Sequence, residues 1–295
     1  MTCVRKAWLT LGASTLLLED PTKGYFCTEL NLGWPDVREV INNRPDQDGA
    51  DDRTTYFGPR AITAAITAIA GAGANIDGAA SLFAPFMSPA ARPQLHYVLD
   101  RPGAAERVLT VRASGYQWPI VGDKQRDVQL AWVAADPLPK DVAVRTSTAY
   151  AGASSGPGRI YNLTFNRLYP VGGGSSSVGI IHGNGDVWFG PVYRIYGPIT
   201  QPDLQILLSG HGVPMRILFD PGFSIAATHY VDLDSTAHTA RLDGDPNQSV
   251  YGSIEWSASN WSKLTPGVDN LLTIHGTSTS GVSQVLATWQ DVYLT

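Results

Sequence analysis

Turn residues punctuate the last hundred residues of this chain so often that no long helix fits between them. Gly197-Pro198, Gly210, Pro221-Gly222, Asp243-Gly244, Pro266-Gly267 and Gly281 recur with short runs of alternating apolar residues between them. Glycine and proline break helices and set tight turns, whereas short period-two runs suit strands. The pattern predicts a two-sheet β-sandwich over 186–295. The run closes on Ala287-Thr288-Trp289-Gln290-Asp291-Val292-Tyr293-Leu294 and carries no catalytic signature.

Upstream, the same signals recur at lower density. Leu9, Leu11 and Leu16–Leu18 predict a hairpin turning at Gly12, and Tyr25–Leu32 continues with Phe26, Leu30 and Leu32 on one parity. A polar stretch from Asn42 to Arg53, with Pro45 and Asp48-Gly49, reads as an exposed loop or hairpin tip. From Tyr56 the chain alternates again, placing Ile62, Ala64, Ile66, Ala68 and Ala70 on one face and Thr63 and Thr67 on the other. One helix is predicted, capped by Asp77 and packed through Leu82, Phe83, Phe86 and Met87; Pro85 shortens or bends it and Pro89 ends it. Strands return at Gln94–Leu99, Glu106–Arg112 and Asp127–Val133. The expected fold is therefore mainly β. An N-terminal antiparallel domain with one packed helix spans 1–165, a Gly/Ser-rich linker covers 166–185, and the sandwich follows.

With 295 residues the chain is long enough for two cores, and 30 glycines and 20 prolines favour many short strands. A formal net charge of −5 argues against general affinity for nucleic-acid backbone. Cys3 and Cys27 are too few for a disulfide framework and have no metal spacing, which suits reduced thiols made in a cytoplasm. Arg5 and Lys6 precede an apolar run, but Thr10, Gly12, Ser14 and Thr15 interrupt it and no small-x-small cleavage site follows, so it reads as strand rather than signal peptide. No stretch reaches the length that inserts in a membrane.

The reactive-group inventory is thin. Gly152-Ala153-Ser154-Ser155-Gly156 matches a nucleophile-elbow pattern, but Pro157-Gly158 follows where a helix would have to begin, so a hydrolase is a distant third reading. Asp232 and Asp234 would share the solvated face of a strand opposite Val231 and Leu233. Asp243-Gly244-Asp245 opens like a calcium loop, but Gln248 and Ile254 stand where that loop needs glycine and a carboxylate, so a tight turn is expected. The six histidines show no HxH or HExxH spacing, and no phosphate-binding or dinucleotide fingerprint is present. No catalytic residue, metal or cofactor is expected. Trp188, Tyr193, Tyr196, Trp256 and Trp261 are candidates for a sugar-stacking platform, Trp188, Trp256 and Trp261 above all; ordinary core and interface roles compete with that reading.

Taken in order, several segments resemble the distal tail proteins of siphophages, often called minor tail proteins in phages of actinobacteria. They are Gly24–Leu32 with Gly33-Trp34-Pro35-Asp36-Val37-Arg38, the Asp-Gly loop, Tyr56–Thr63, the single helix, Arg92–Leu95 and Ala131–Pro137. The second half adds Gly197–Pro202, Leu242-Asp243-Gly244, Trp261–Asn270 and Trp289–Tyr293. The resemblance implies a non-enzymatic virion component of the tail tip: a belt domain forming a homo-hexameric ring, and a galectin-like sandwich projecting from it. The implied partners are the tail tube protein on one side and tail-tip and fibre proteins on the other. DNA would cross the lumen without specific binding. Asp46, Asp48, Asp51 and Asp52 are then expected to face the lumen or a neighbouring ring. The rival reading is a carbohydrate-binding adhesin module contacting the host surface, which is also compatible as an added role.

Overall fold

The computed structural model describes residues 4–38, 41–43, 50–52, 56–69, 81–117, 125–151, 177–208, 215–278 and 283–294. They fall into two compact units: Met1–Val142 with Tyr293–Thr295, and Ala143–Val292.

The first unit contains β1 (Val4–Leu11), β2 (Ser14–Leu17), β3 (Tyr25–Asn31), β4 (Pro35–Arg38), β5 (Ile41–Asn43), β6 (Ala50–Asp52), β7 (Tyr56–Ile69), β8 (Gln94–Leu99), β9 (Glu106–Thr110), β10 (Arg112–Gln117), β11 (Gln125–Ala134) and β12 (Lys140–Asp141). One sheet runs β12-β9-β8-β1-β2 and a second β10-β11-β7-β3, with β4 also paired to β7; β5 and β6 form a hairpin of their own. The described pairings are antiparallel. Period-two alternation explains the core. Ile62, Ala64, Ile66 and Ala68 of β7 and Val128, Leu130, Trp132 and Ala134 of β11 are buried in one cluster with Leu9, Leu95, Tyr97, Leu99 and Leu109 of the other sheet. Each large apolar side chain so buried stabilises the fold by about 1.5–3 kcal/mol.

Three local readings change. In β3 the register shifts between Cys27 and Glu29, so Tyr25 is fully buried and Phe26 faces out, while Leu30 and Leu32 still turn inward. A bulge inserts one residue and reverses parity across it, which simple alternation does not reveal. The predicted Glu106–Arg112 strand is two strands in different sheets, divided at Val111, whose N–H bonds Pro93 O at 2.9 Å. Of the predicted helix, residues 81–83 are helical and pass directly into a 3-10 turn over Ala84–Met87, burying Phe83 and Phe86 but leaving Leu82 exposed. Its expected Asp77 cap lies outside the described residues, as do Ala70 and Cys3.

The second unit holds β13 (Arg145–Tyr150), β14 (Gly179–His182), β15 (Val192–Tyr196), β16 (Ile199–Leu208), β17 (Met215–Leu218), β18 (Ser224–Ile225), β19 (Tyr230–Asp234), β20 (Thr239–Leu242), β21 (Asp269–Thr277) and β22 (Gln284–Trp289). Its sheets run β13-β22-β15-β19-β20 and β14-β21-β16-β17, with β18 on β16. Tyr193, Ile195, Val231, Leu233, Val285 and Ala287 of the first and Ile181, Leu204, Ile206, Ile217, Leu272 and Ile274 of the second are buried, two inward rows of a sandwich. The sequence boundary was expected near residue 165, whereas the compact units divide between Val142 and Ala143. A Gly/Ser-rich run looks like an interdomain linker, yet it lies in the chain between β13 and β14, two strands of one unit. Residues 152–176 of that run lie outside the described residues. Among the described residues no helix is long and apolar enough to cross a membrane.

Candidate functional site

The chemistry-bearing groups flagged in the sequence are occupied with holding turns and strands. Asp232 takes a two-pronged ion pair from Arg194, with Nε and Nη2 at 2.7 and 2.9 Å from its carboxylate oxygens. Asp234 accepts from the N–H groups of Thr236 and Ala237 and so closes the turn into β20. Asp243 and Gly244 both have positive φ, 51° and 71°, and form a tight turn. His229 Nδ1, 2.6 Å from Asp243 Oδ2, holds that carboxyl below the usual range, helped by the Tyr230 N–H. Asp245 is likewise lowered, first by the Asn247 N–H and then by the Gln248 amide. Among the described residues no group of three His, Cys, Asp or Glu is placed to hold a metal ion. His96 bonds Thr10 and Glu106, His182 bonds Asp269, and His238 stacks on Trp261. Ser154 and His211 lie outside the described residues.

Two surface features remain. The first is an apolar arm in the first unit. Gly33, at φ +60°, lets the chain leave β3 so close to β7 that a Cβ there would stand 2.3 Å from Ala61 O. Next in the chain, β4 pairs with the start of β7, placing Val37 opposite Phe57 and Arg38 opposite Tyr56. Trp34, Val37, Tyr56 and Phe57 are 67%, 54%, 63% and 45% exposed. The β5–β6 hairpin, nested between β4 and β7 in the chain, sets Ile41 opposite Asp52 and Asn42 opposite Asp51. Asp51 and Asp52 therefore belong to strand β6, while Asp46 and Asp48 lie outside the described residues. Sequence reading marked this stretch as a polar tip and missed the apolar base. The signal was present: aromatic residues flank the acidic loop on both sides, where a hairpin brings its two ends together.

The second feature is a row of rings in the second unit. Tyr251 and Trp256 lie 4.5 Å apart between centroids, Trp256 and Trp261 6.4 Å apart, and Trp261 stacks on His238 at 5.4 Å and 6°. The structure thus brings together two of the three sequence-predicted tryptophans. Trp188, 63% exposed, takes no part in the row. Tyr193 is fully buried in the sandwich and Tyr196 packs against Tyr230 on the outer face, so neither contributes.

Two arginines unsuspected from sequence stand inside the first unit. Arg60 is fully buried and donates from Nη2 to Leu294 O; burial lowers its pKa. Arg107, 1% exposed, lies over the Tyr293 ring. Burial pushes the nearby Tyr97 phenol up to about 12, against the opposing pull of these two cations.

Two β units in this order are a fold that the chain shares with solved phage proteins. No family model matches the chain, and no curated protein matches it. One similar solved structure is the crystal structure of SPP1 Dit, described as a paradigm of the hub adsorption apparatus in phages that infect Gram-positive bacteria; the likeness covers 98% of this chain and 99% of that one, with TM-score 0.62 at 14% identity. Two structures of the phage P2 baseplate in its activated conformation, with Ca and with Sr, align over 96% of this chain and 97% of theirs at 10% identity, with TM-scores of 0.45 and 0.43, too low to carry an argument. The likeness is one of fold, and it agrees with the resemblance that the sequence motifs carry.

Proposed function

We propose that this protein is a structural subunit of the phage tail tip, assembling six copies into a ring that joins the tail tube to the tail-tip and fibre proteins. The observation that carries the reading is the exposed apolar arm, Trp34, Val37, Tyr56 and Phe57, on a hub fold. Isolated soluble proteins seldom leave so many large apolar groups uncovered along one short ribbon, and a ring needs each subunit to offer one face to the complementary face of the next. The open edges of β2 and β3 add backbone groups that a neighbour can use. In this reading the first unit is the belt and the second is an outward module. DNA crosses the lumen, and the net charge of −5 keeps it from adhering. The Asp46–Asp52 segment faces the lumen or an adjoining ring; its charge reversal lowers DNA ejection or tail joining, and normal phage titre from that mutant counts against the assignment.

Particle mass in solution with negative-stain imaging tests the ring. Six-copy particles with a central opening are expected. A strict monomer at high concentration that also fails to enter tails would overturn the reading.

A further inference from the structure

The ring reading leaves the aromatic row of the second unit unused. Its central ring, Trp256, is carried on a loop segment that is held at both ends. Residues 254–260 run along the free edge of β17: Glu255 N–H bonds Leu218 O at 2.8 Å, Asn260 N–H bonds Arg216 O at 2.8 Å, and the Asn260 and Ser259 side chains accept the Arg216 and Leu218 N–H groups at 3.0 and 2.9 Å. The loop is therefore pinned at both ends with a turn between them, and the side chain it projects loses little further freedom when a ligand arrives.

Trp256 on that segment is 39% exposed and Tyr251, in the 3-10 turn just before it, 38%, although burying either ring would be favourable. The two rings are tilted by 37° rather than stacked face to face, so ring surface stays open to solvent. Trp261, half-buried and braced on its far side by His238, backs them. Polar groups adjoin the row in the chain: Asp245 and Asn247 lie in the preceding turn, and Glu255 and Ser257, joined by a 3.1 Å hydrogen bond, flank Trp256.

We propose that Tyr251, Trp256 and Trp261 form a stacking platform for a neutral oligosaccharide, with Glu255, next to Trp256 in the chain, to accept a hydrogen bond from its hydroxyls. A pyranose offers the matching surface: an apolar C–H face for the rings and a hydroxyl edge for carboxylate and amide groups. The alternatives fit the same residues less well. Nucleobases also stack on aromatic rings, but their phosphates require a basic track, and Glu255 beside Trp256 repels them. Phosphate-bearing polysaccharides meet the same obstacle. A quaternary ammonium needs walls around a void, whereas these rings touch one another in a row.

The test uses the full-length protein and a panel of neutral oligosaccharides with gluco, galacto, manno and N-acetylhexosamine configurations, followed by tryptophan fluorescence and titration calorimetry. Saturable binding by at least one is expected. Trp256→Ala and Tyr251→Ala should each weaken it at least about tenfold, with Trp188→Ala as the unchanged control. Both replaced rings are part-exposed, and a thermal melt beside the unmodified protein verifies folding; Tyr251→Ala stands in if Trp256→Ala fails. Absence of saturable binding at millimolar sugar would overturn the proposal. So would binding that survives both variants, an equal loss in Trp188→Ala, or binding confined to phosphate-bearing polymers. Ring assembly by these variants is read separately, so failure of the sugar site and failure of the ring are distinguishable.

Discussion

The guanidinium carbon of Arg107 lies 3.9 Å from the centroid of the Tyr293 ring, and both residues belong to the first compact unit although the whole of the second separates them in sequence. The chain thus leaves the first unit at Val142 and rejoins it at Tyr293. The return is fixed at three points: the Arg107–Tyr293 contact, the Tyr293 N–H to Pro139 O bond at 2.9 Å, and the Arg60 donor to Leu294 O. A guanidinium tolerates this burial because it is weakly hydrated and stacks well on an aromatic face.

Removing the ring should therefore unfold the first unit more readily. Tyr293 is 7% exposed, so Tyr293→Ala combines cavity formation with a lost cation–π contact, and a loss of about 4 kcal/mol is expected. Tyr293→Phe keeps the ring and should cost much less. Urea denaturation of both variants checks this; equal destabilisation would mean that the hydroxyl, not the stacked ring, holds the segment.

Acid should weaken the protein through Asp243 and Asp245, whose carboxyls are held below their ordinary value of 3.8 in the folded state. A depressed folded pKa gives stability that is complete above the unfolded value and is lost as pH falls through the folded one. The thermal midpoint should thus drop below about pH 4. Asp243→Asn should lower the midpoint near neutrality and flatten the acid limb. An acid limb identical to that of the unmodified protein would show that the His229–Asp243 contact is energetically idle.

The apolar arm should matter for assembly and hardly for folding. Phe57→Asp places a charge on a side chain that is already 45% exposed, so the monomer should melt within a degree or two of the original, as surface substitutions of about ±0.5 kcal/mol do. Ring particles should nevertheless disappear from mass photometry. Intact rings from Phe57→Asp and Trp34→Asp would move the subunit interface elsewhere.

What the sequence disclosed follows from the range of the interactions involved. The inward rows of β7 and β19 were legible because parity is local: Ile62 to Ala68, and Val231 with Leu233, face in as alternation requires. The Tyr25–Leu32 strand was misread at one end because a bulge leaves no compositional mark. Arg60 and Arg107 sit in strands at inward positions, and only chain folding supplies Leu294 and Tyr293 to receive them. The candidate surfaces were legible by type and not by membership. Tryptophans announced a platform, but loop closure brings Tyr251 and His238 to Trp256 and Trp261 and leaves Trp188 apart. The unit boundary was illegible because strand β13 pairs across the Gly/Ser-rich run with β22, at the far end of the unit.

The closing Trp289-Gln290-Asp291-Val292-Tyr293 motif has its own physical reason in Asp291. Its carboxylate is fully buried and accepts from Arg145 Nε at 2.9 Å, Arg145 Nη2 at 2.9 Å and the Asn184 N–H at 2.9 Å. Beside it, Gly185 packs so closely that a Cβ would stand 2.1 Å from Val292 O, while the Asp186 N–H bonds that same oxygen. The pair is asymmetric, since the Arg145 side chain is 38% exposed and the Asp291 side chain 0%. Asp291→Asn leaves an amide in a shaped site and a guanidinium that water can still reach, so the expected loss is about 1–2 kcal/mol. Arg145→Ala leaves a buried charge with only the Asn184 amide to satisfy it, and should cost about 3 kcal/mol or more. Chemical denaturation of the two variants decides the order. If Asp291→Asn proves the more damaging, the carboxylate is stabilised chiefly by the Asn184 N–H, and the arginine is a surface ornament of the motif rather than its counter-ion.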